Sequence, residues 1–242
     1  MSHSSITYTI APEIFEMFPG YIRGVVVAHG VKNGPSPPDL VALLRAAETE
    51  ARSKLDLEKI IEHPLMASWR DAYRKFGAKP GKYRPSMEAM ARRVLRDQQL
   101  PSISSLVDIG NIISLKHLLP AGGHTIDVVA NDLQLCRAEG DETFVPFGSD
   151  KLETPQAGEI IFCEGKTVLT RRWTWRQANH TLVTPETTAL EFNIDGMPPI
   201  TLPEVESACN EVISLTEQFC GGKCYYEMLT QENNHITLSM RY

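Results

Sequence analysis

Apolar and polar positions along this chain follow two different periods, and the change falls near residue 100. Residues 20–31, "GYIRGVVVAHGV", form a β-branched run bounded by glycines, which predicts a largely buried strand. The cluster "KNGPSPPD" then breaks the chain. From Asp39 the residues Leu40, Val41, Leu43, Leu44 and Ala47 fall on one stripe, predicting a helix with an acid at its start. A second helical pattern covers roughly 65–76 and ends at "GAKPGKYRPS", where Pro80, Gly81 and Pro85 forbid a regular continuation. Ser86 is placed to cap a third helix that turns Met87, Met90, Ala91, Val94 and Leu95 inward and Arg92, Arg93 and Arg96 mostly outward.

Beyond residue 100 the pattern turns to strands. Ser105 with Asp108 is a capping pattern ahead of a helix from about Gly110 to Leu119, and the turn Pro120–Gly123 delivers His124 to the start of a strand. "TIDVVANDLQLCRA", "TFVPFG", "GEIIFC", "KTVLTRRWTW" and "TALEFNI" read as strands joined by short turns. Thr201 with Glu204 forms a capping box before a helix carrying Val205, Ala208, Cys209, Val212, Ile213 and Leu215, and "KCYYEML" follows Gly221 and Gly222 as a final strand. Helix-rich, then strand-rich, then a covering helix is an α+β order: a mixed β-sheet with flanking helices, not a doubly wound fold. A single domain over 1–242 is expected, with its helical part at about 1–100 and its sheet-rich part at about 101–242.

Composition narrows this only at a few points. Hydrophobic residues at 42% and charged residues at 22% are ordinary globular values, which exclude disorder and fibrous repeats. The opening "MSHSSITYTIAPE" lacks a basic segment and an apolar core, and no stretch of about 18 apolar residues occurs, so neither leader nor membrane anchor is expected. Five cysteines without a leader favour reduced thiols, hence a cytoplasmic reading. The net charge of −6 conceals a segment from Trp69 to Arg96 with nine Lys/Arg against Asp71 and Glu88. Such a cluster can dock a polyanion on an acidic protein, and Lys82, Arg84, Arg92, Arg93 and Arg96 are its candidate RNA contacts. The plainer alternative is a solvated face of two helices.

Nucleotide-binding glycine motifs, H-E-x-x-H and G-x-S-x-G are all absent. "CGGKC" (Cys220, Cys224) is a lone cysteine pair, so neither metal nor cofactor is expected. "RRWTWRQ", read as a strand, alternates Arg171, Trp173, Trp175 and Gln177 with Arg172, Thr174 and Arg176. It could stack a base and clamp an anion. Equally, its rings could pack on the core while its arginines pair with neighbours such as Glu164 or Glu186. Asn111 and His124, beside a glycine-rich backbone, could orient a water or an acyl ester.

From about Lys75 to Gly196 the chain resembles the B3/B4 domain of the bacterial phenylalanyl-tRNA synthetase beta subunit, in free-standing form. The resemblance rests on Asp108 and Asn111 ("D-x-x-N"), the turn at Pro120–Gly123, His124 and Asp127 ("H-x-x-D"), "CRAEGDETF" with Arg137, Ala138 and Glu142, Leu190 with Glu191, and the helical "YRKFGAKPGKYRPSMEAMARRVL". That family's module edits mischarged tRNA, so the resemblance implies a pocket for an ester between an amino acid and the tRNA 3′ end. It implies that Glu191 reads the polar end of the amino-acid side chain and that His124 and Asn111 stand near the ester. Arg137, Arg172, Trp173 and Arg176 would complete substrate binding, with Arg172 and Arg176 on phosphate. "RRWTWRQANH" departs from the glycine-rich strand of the family, which predicts a smaller or recharged cavity. Without a synthetase body, any grip on tRNA must come from the chain's own basic segment. Binding, with or without hydrolysis, of mischarged aminoacyl-tRNA in trans is thus one expectation; a non-catalytic module for an amino acid, nucleotide or RNA is the alternative.

Overall fold

The computed structural model describes residues 5–239; residues 1–4, in the stretch where a leader would stand, lie outside them. In chain order the elements are β1 (Ser5–Ile10), α1 (Pro12–Met17), β2 (Ile22–His29), α2 (Pro38–Lys54), α3 (Pro64–Lys75), α4 (Ser86–Val94), α5 (Ser105–His117), β3 (Ala121–Thr125) and β4 (Leu133–Arg137). They continue with β5 (Ile160–Glu164), β6 (Thr167–Arg171), β7 (Arg176–Gln177), β8 (Ala189–Gly196), α6 (Leu202–Cys220), β9 (Lys223–Leu229) and β10 (His235–Ser239). The class is α+β, and the strands divide between two sheets. One is mixed and six-stranded, β10-β1-β4-β5-β6-β7, with β1 and β4 parallel. The other is antiparallel and four-stranded, β3-β8-β2-β9.

The small sheet is covered on both faces, which is why β2 reads as an unbroken apolar run. Val26 and Ala28 pack with Leu40 and Leu44 of α2, Ile109 and Ile113 of α5, and Val212 of α6. Val25 and Val27 face the other way, toward Tyr8, Leu135, Phe162 and Leu169 of the large sheet. Gly24 is the point where α6 comes closest to β2, since a Cβ there would lie 2.2 Å from Cys209 Sγ. Helix α6 opens with the expected capping box between Thr201 and Glu204.

A polar layer is buried between the two sheets. Arg23 on β2 donates through Nε to Asp195 Oδ1 at 2.7 Å and through Nη2 to Asp195 Oδ2 at 3.1 Å, and its Nη1 reaches the Tyr8 hydroxyl at 2.7 Å. The Tyr21 hydroxyl donates to Asp195 and the Tyr8 hydroxyl to Asn193. Burial pushes both phenols well above their ordinary range, so they act as donors at any physiological pH.

Several local expectations are corrected by this geometry. Helix α5 starts at Ser105, and the Asp108 carboxylate accepts from Ser36 Oγ at 2.6 Å, Ser102 Oγ at 2.5 Å and Ile103 N at 3.0 Å instead of closing a capping box. The N-cap of α4 is Pro85, so Ser86 does not cap it. "TIDVVANDLQLCRA" splits between the two sheets, because Asp127 turns the chain by accepting from the backbone of Thr188 and Ala189. "TFVPFG" makes isolated bridges only. Strand β6 stops at Arg171, because Arg172 (φ 48°) and Trp173 (φ 63°) take the left-handed conformation and reverse the chain into β7. The strict alternation read into "RRWTWRQ" therefore fails.

Asp195→Ala leaves the Arg23 guanidinium buried without its carboxylate. Equilibrium urea unfolding should show a loss of about 3–5 kcal/mol. A change below about 1 kcal/mol would mean that Arg23 finds another partner or water.

Candidate functional site

A cavity of about 630 Å³ opens between the small sheet, helices α4 and α5, and the β6–β7 turn. The helices contribute Met90, Leu106, Val107 and Asn111, and β3 contributes its glycine-rich backbone with His124. The segment 182–185 forms another wall, and Asn33 ties it in place by donating to Thr184 O at 2.9 Å and Ser104 Oγ at 3.2 Å. Arg23, Asn193 and Asp195 extend the buried polar layer to the cavity surface, so one part of a largely apolar wall carries buried charge. Gly122 stands opposite Asn193 in the sheet register, and a Cβ there would meet nothing within 4 Å.

His124 is held on both ring nitrogens. Nδ1 lies 2.6 Å from Thr181 Oγ1 and Nε2 lies 3.1 Å from Thr170 Oγ1, while Phe162 meets the ring edge-on at 5.2 Å. Burial, assisted by the Arg23 charge, pushes its pKa down to about 3. The ring is therefore neutral at physiological pH and a weak base. Asn111 differs: among the described residues its side-chain amide has no hydrogen-bond partner, although it lines the cavity.

Glu191 pairs with His124 across the β3–β8 register but lies behind the cavity wall, wholly buried. Its Oε1 accepts from Asn193 Nδ2 at 3.1 Å, and its Oε2 has no partner among the described residues. Burial pushes the carboxyl up to about 8, with Arg23 pulling in the opposite direction and Asp195 reinforcing the rise. It is a neutral acid at pH 7, able to donate one hydrogen bond.

The "RRWTWRQ" residues part company around the turn. Arg171 forks onto Glu159 at 2.8 and 2.9 Å and reaches Glu153 at 2.8 Å, and Arg172 also reaches Glu159, at 3.2 Å. The carboxylates that compensate these guanidiniums are thus Glu153 and Glu159, not Glu164 or Glu186. Arg172 is further clamped over the Tyr83 ring at 3.7 Å and does not line the cavity. Trp173 is buried against Phe18, Tyr21 and Trp69 and shows the cavity only part of its ring. Arg176 lines the cavity, with 39% of its side chain exposed and one carboxylate contact, Glu153, at 3.8 Å.

The remaining candidates separate by position. Arg137 is exposed on β4 beside Gly158 and away from the cavity. Arg92 is bound with Arg70 to the buried Glu88, and Arg93 donates to Gln99 O at 3.0 Å. Lys82, Arg84 and Arg96 are exposed and have no carboxylate partner among the described residues; Lys82 lies over the Tyr83 ring, which packs on Trp175 of the cavity wall. Arg23, Asn193, Asp195, Thr170 and Gln177 line the cavity without having been singled out. One signal for them stands in the sequence: in "LEFNIDG" the polar Glu191, Asn193 and Asp195 occupy every second position of an apolar strand.

Fold and cavity together define an α+β domain with an open, largely apolar pocket between sheet and helices. Residues 68–221 match the B3/4 domain family, and the chain belongs to that family. Among solved structures it is similar to an N-terminal fragment of the phenylalanyl-tRNA synthetase beta subunit from Pyrococcus horikoshii, at 12% identity and a TM-score of 0.46. That match covers 95% of this chain but 56% of the fragment, so the chain spans little more than half its length. No curated protein matches the chain. Among the described residues no helix is long and apolar enough to cross a membrane, and no His, Cys, Asp or Glu side chains gather as a metal site.

A neutral Glu191 has a pH signature. Its folded pKa of about 8 exceeds the ordinary value of 4.5, so its contribution to stability is complete below about 4.5 and is lost as pH rises through about 8. His124, shifted downward, has the opposite dependence, confined to the range between about 3 and 6.5. Glu191→Gln, which copies the neutral acid, should therefore lose less stability than the parent chain between about pH 5 and pH 8 in denaturant titrations. Identical slopes would mean that Glu191 is already ionised in the folded protein.

Proposed function

We propose that this domain binds the aminoacylated 3′ end of a tRNA in trans, the aminoacyl group entering the cavity. The observation that carries this reading is the cavity itself. Its volume of about 630 Å³ falls within the roughly 300–1,000 Å³ usual for small-molecule sites, and polar groups are set among its apolar walls. Apolar walls suit an amino-acid side chain, and the unpartnered Asn111 amide offers hydrogen bonds to an ester or ribose. Membership of the B3/4 family supports the same reading. In this arrangement Glu191 acts through Asn193, whose amide it orients, and not by direct contact with the side chain.

Hydrolysis, in this proposal, proceeds by a water that Asn111 orients at the ester carbonyl. The neighbouring ribose hydroxyl of the substrate assists proton transfer, since the lowered pKa of His124 and the hydrogen bonds on both its ring nitrogens make it a weak base there. The same observation favours a second reading, a recognition module that holds the charged end without turnover. Exposed Lys82 and Arg84, joined to the cavity wall through Tyr83 and Trp175, supply the grip on phosphate in both cases.

A panel of correctly and incorrectly charged tRNAs, assayed for binding and for release of amino acid, tests both. Saturable binding that is lost in Gly122→Val, whose side chain would occupy the cavity, is expected. Release that disappears in Asn111→Ala identifies a hydrolase; binding without release identifies a recognition module. Binding indifferent to aminoacylation and to Gly122→Val would overturn the proposal.

A further inference from the structure

The rim of the cavity carries a feature that the interior does not need. Phe147 lines the cavity, yet 63% of the residue is exposed. The ring thus stands largely in water where the cavity meets solvent.

That ring is presented from a fixed support. Phe147 N donates to Gln177 O at 3.0 Å, Asn179 N to Val145 O at 2.9 Å and Asn179 Nδ2 to Ser149 O at 2.9 Å, so the turn is laced to the strand that bears Arg176. Arg176 lines the same cavity, partly exposed, and among the described residues only the 3.8 Å approach of Glu153 offsets its charge. Its guanidinium also stands 6.0 Å from the Trp175 ring. A pre-ordered aromatic face beside an under-compensated cation suits a flat, π-rich group carrying an adjacent anion.

We propose that Phe147 is a stacking platform for a nucleobase of a single-stranded RNA end, with Arg176 on the phosphate next to it. The inference rests on the proposed function and adds to it a contact outside the aminoacyl pocket, made by a nucleotide upstream of the acylated one. Because the turn is held by backbone bonds, stacking orders one side chain only, which keeps the entropic cost of binding small. An apolar protein partner is the competing occupant, and Leu152, exposed in the same loop, would suit it. Arg176 favours the nucleotide, since an apolar partner gains nothing from a cation on the same cavity wall.

The probe is a short, uncharged ribo-oligonucleotide ending in CCA, labelled at its 5′ end and titrated by anisotropy. Phe147→Ala should weaken binding about 5- to 100-fold, the range for loss of one base–aromatic stack. Phe147→Trp should bind at least as well as the parent chain, and Arg176→Gln should make the affinity less dependent on salt. Phe147→Leu keeps an apolar side chain without a π-face; oligonucleotide binding equal to the parent chain in that variant overturns the platform. Absence of oligonucleotide binding by the parent chain overturns it too, and does so even where charged tRNA is still recognised through the cavity. Failure of charged-tRNA recognition with oligonucleotide binding intact and sensitive to Phe147→Ala overturns the aminoacyl reading instead. Phe147 is exposed, so thermal unfolding midpoints of its variants should remain those of the parent chain.

Discussion

The ion pair between Arg23 and Asp195 is the constraint on which the rest of this molecule depends. Both groups are buried between two sheets, where an isolated charge would be too costly to keep. The pair survives because two tyrosine hydroxyls complete it: Tyr21 donates to the carboxylate, and Tyr8 accepts from the guanidinium while donating to Asn193. One network therefore joins β1 of the large sheet to β2 and β8 of the small one. The same groups floor the cavity, so the feature that registers the sheets also sets the electrostatics of the site. The Arg23 charge helps to keep His124 neutral, and the Asp195 charge helps to keep Glu191 protonated.

The β6–β7 turn is the second determinant of the cavity's shape. Two consecutive non-glycine residues in the left-handed region cost about 1–2 kcal/mol each, so something must hold them there. Trp173 does so by filling an aromatic socket of Phe18, Tyr21 and Trp69, and its indole nitrogen reaches the Tyr21 hydroxyl at 3.4 Å. Arg171 and Arg172 would repel each other, and Glu159 binds both. The result turns Trp175 and Arg176 to the cavity while removing Arg172 from it. A motif expected to bring Arg172 and Arg176 to one phosphate leaves Arg176 alone of the two on the cavity wall.

Charge in the basic segment is divided in the same manner. Buried Glu88 holds Arg70 and Arg92, so part of the apparent polycation is the shell of an internal acid. What is left for a polyanion is the exposed set around Lys82 and Arg84, next to the cavity through Tyr83. Local charge counts overstate the free cations wherever acids distant in sequence fold underneath them.

What the chain determined by itself was whatever depends on neighbours near in sequence. Apolar periods marked β2, α2, α3, α4, α6 and β9, the Thr201–Glu204 box marked the start of α6, and an ordered set of motifs marked the family. His124 and Asn111 were legible as candidates because a glycine-rich turn joins a helix to a strand there, and both line the cavity. Tertiary structure alone decided the division of strands into two sheets, for which pairing partners as distant as Tyr8 and Ile236 had to meet. It alone decided which charges are spent, since Glu159, Glu153 and Asp195 neutralise arginines far from them in sequence. It alone turned Glu191 from a ligand-facing carboxylate into a buried neutral acid behind Asn193. Spacing along a chain reports which face of an element a side chain takes; burial and long-range charge, which fix ionisation and access, exist only after the faces have met.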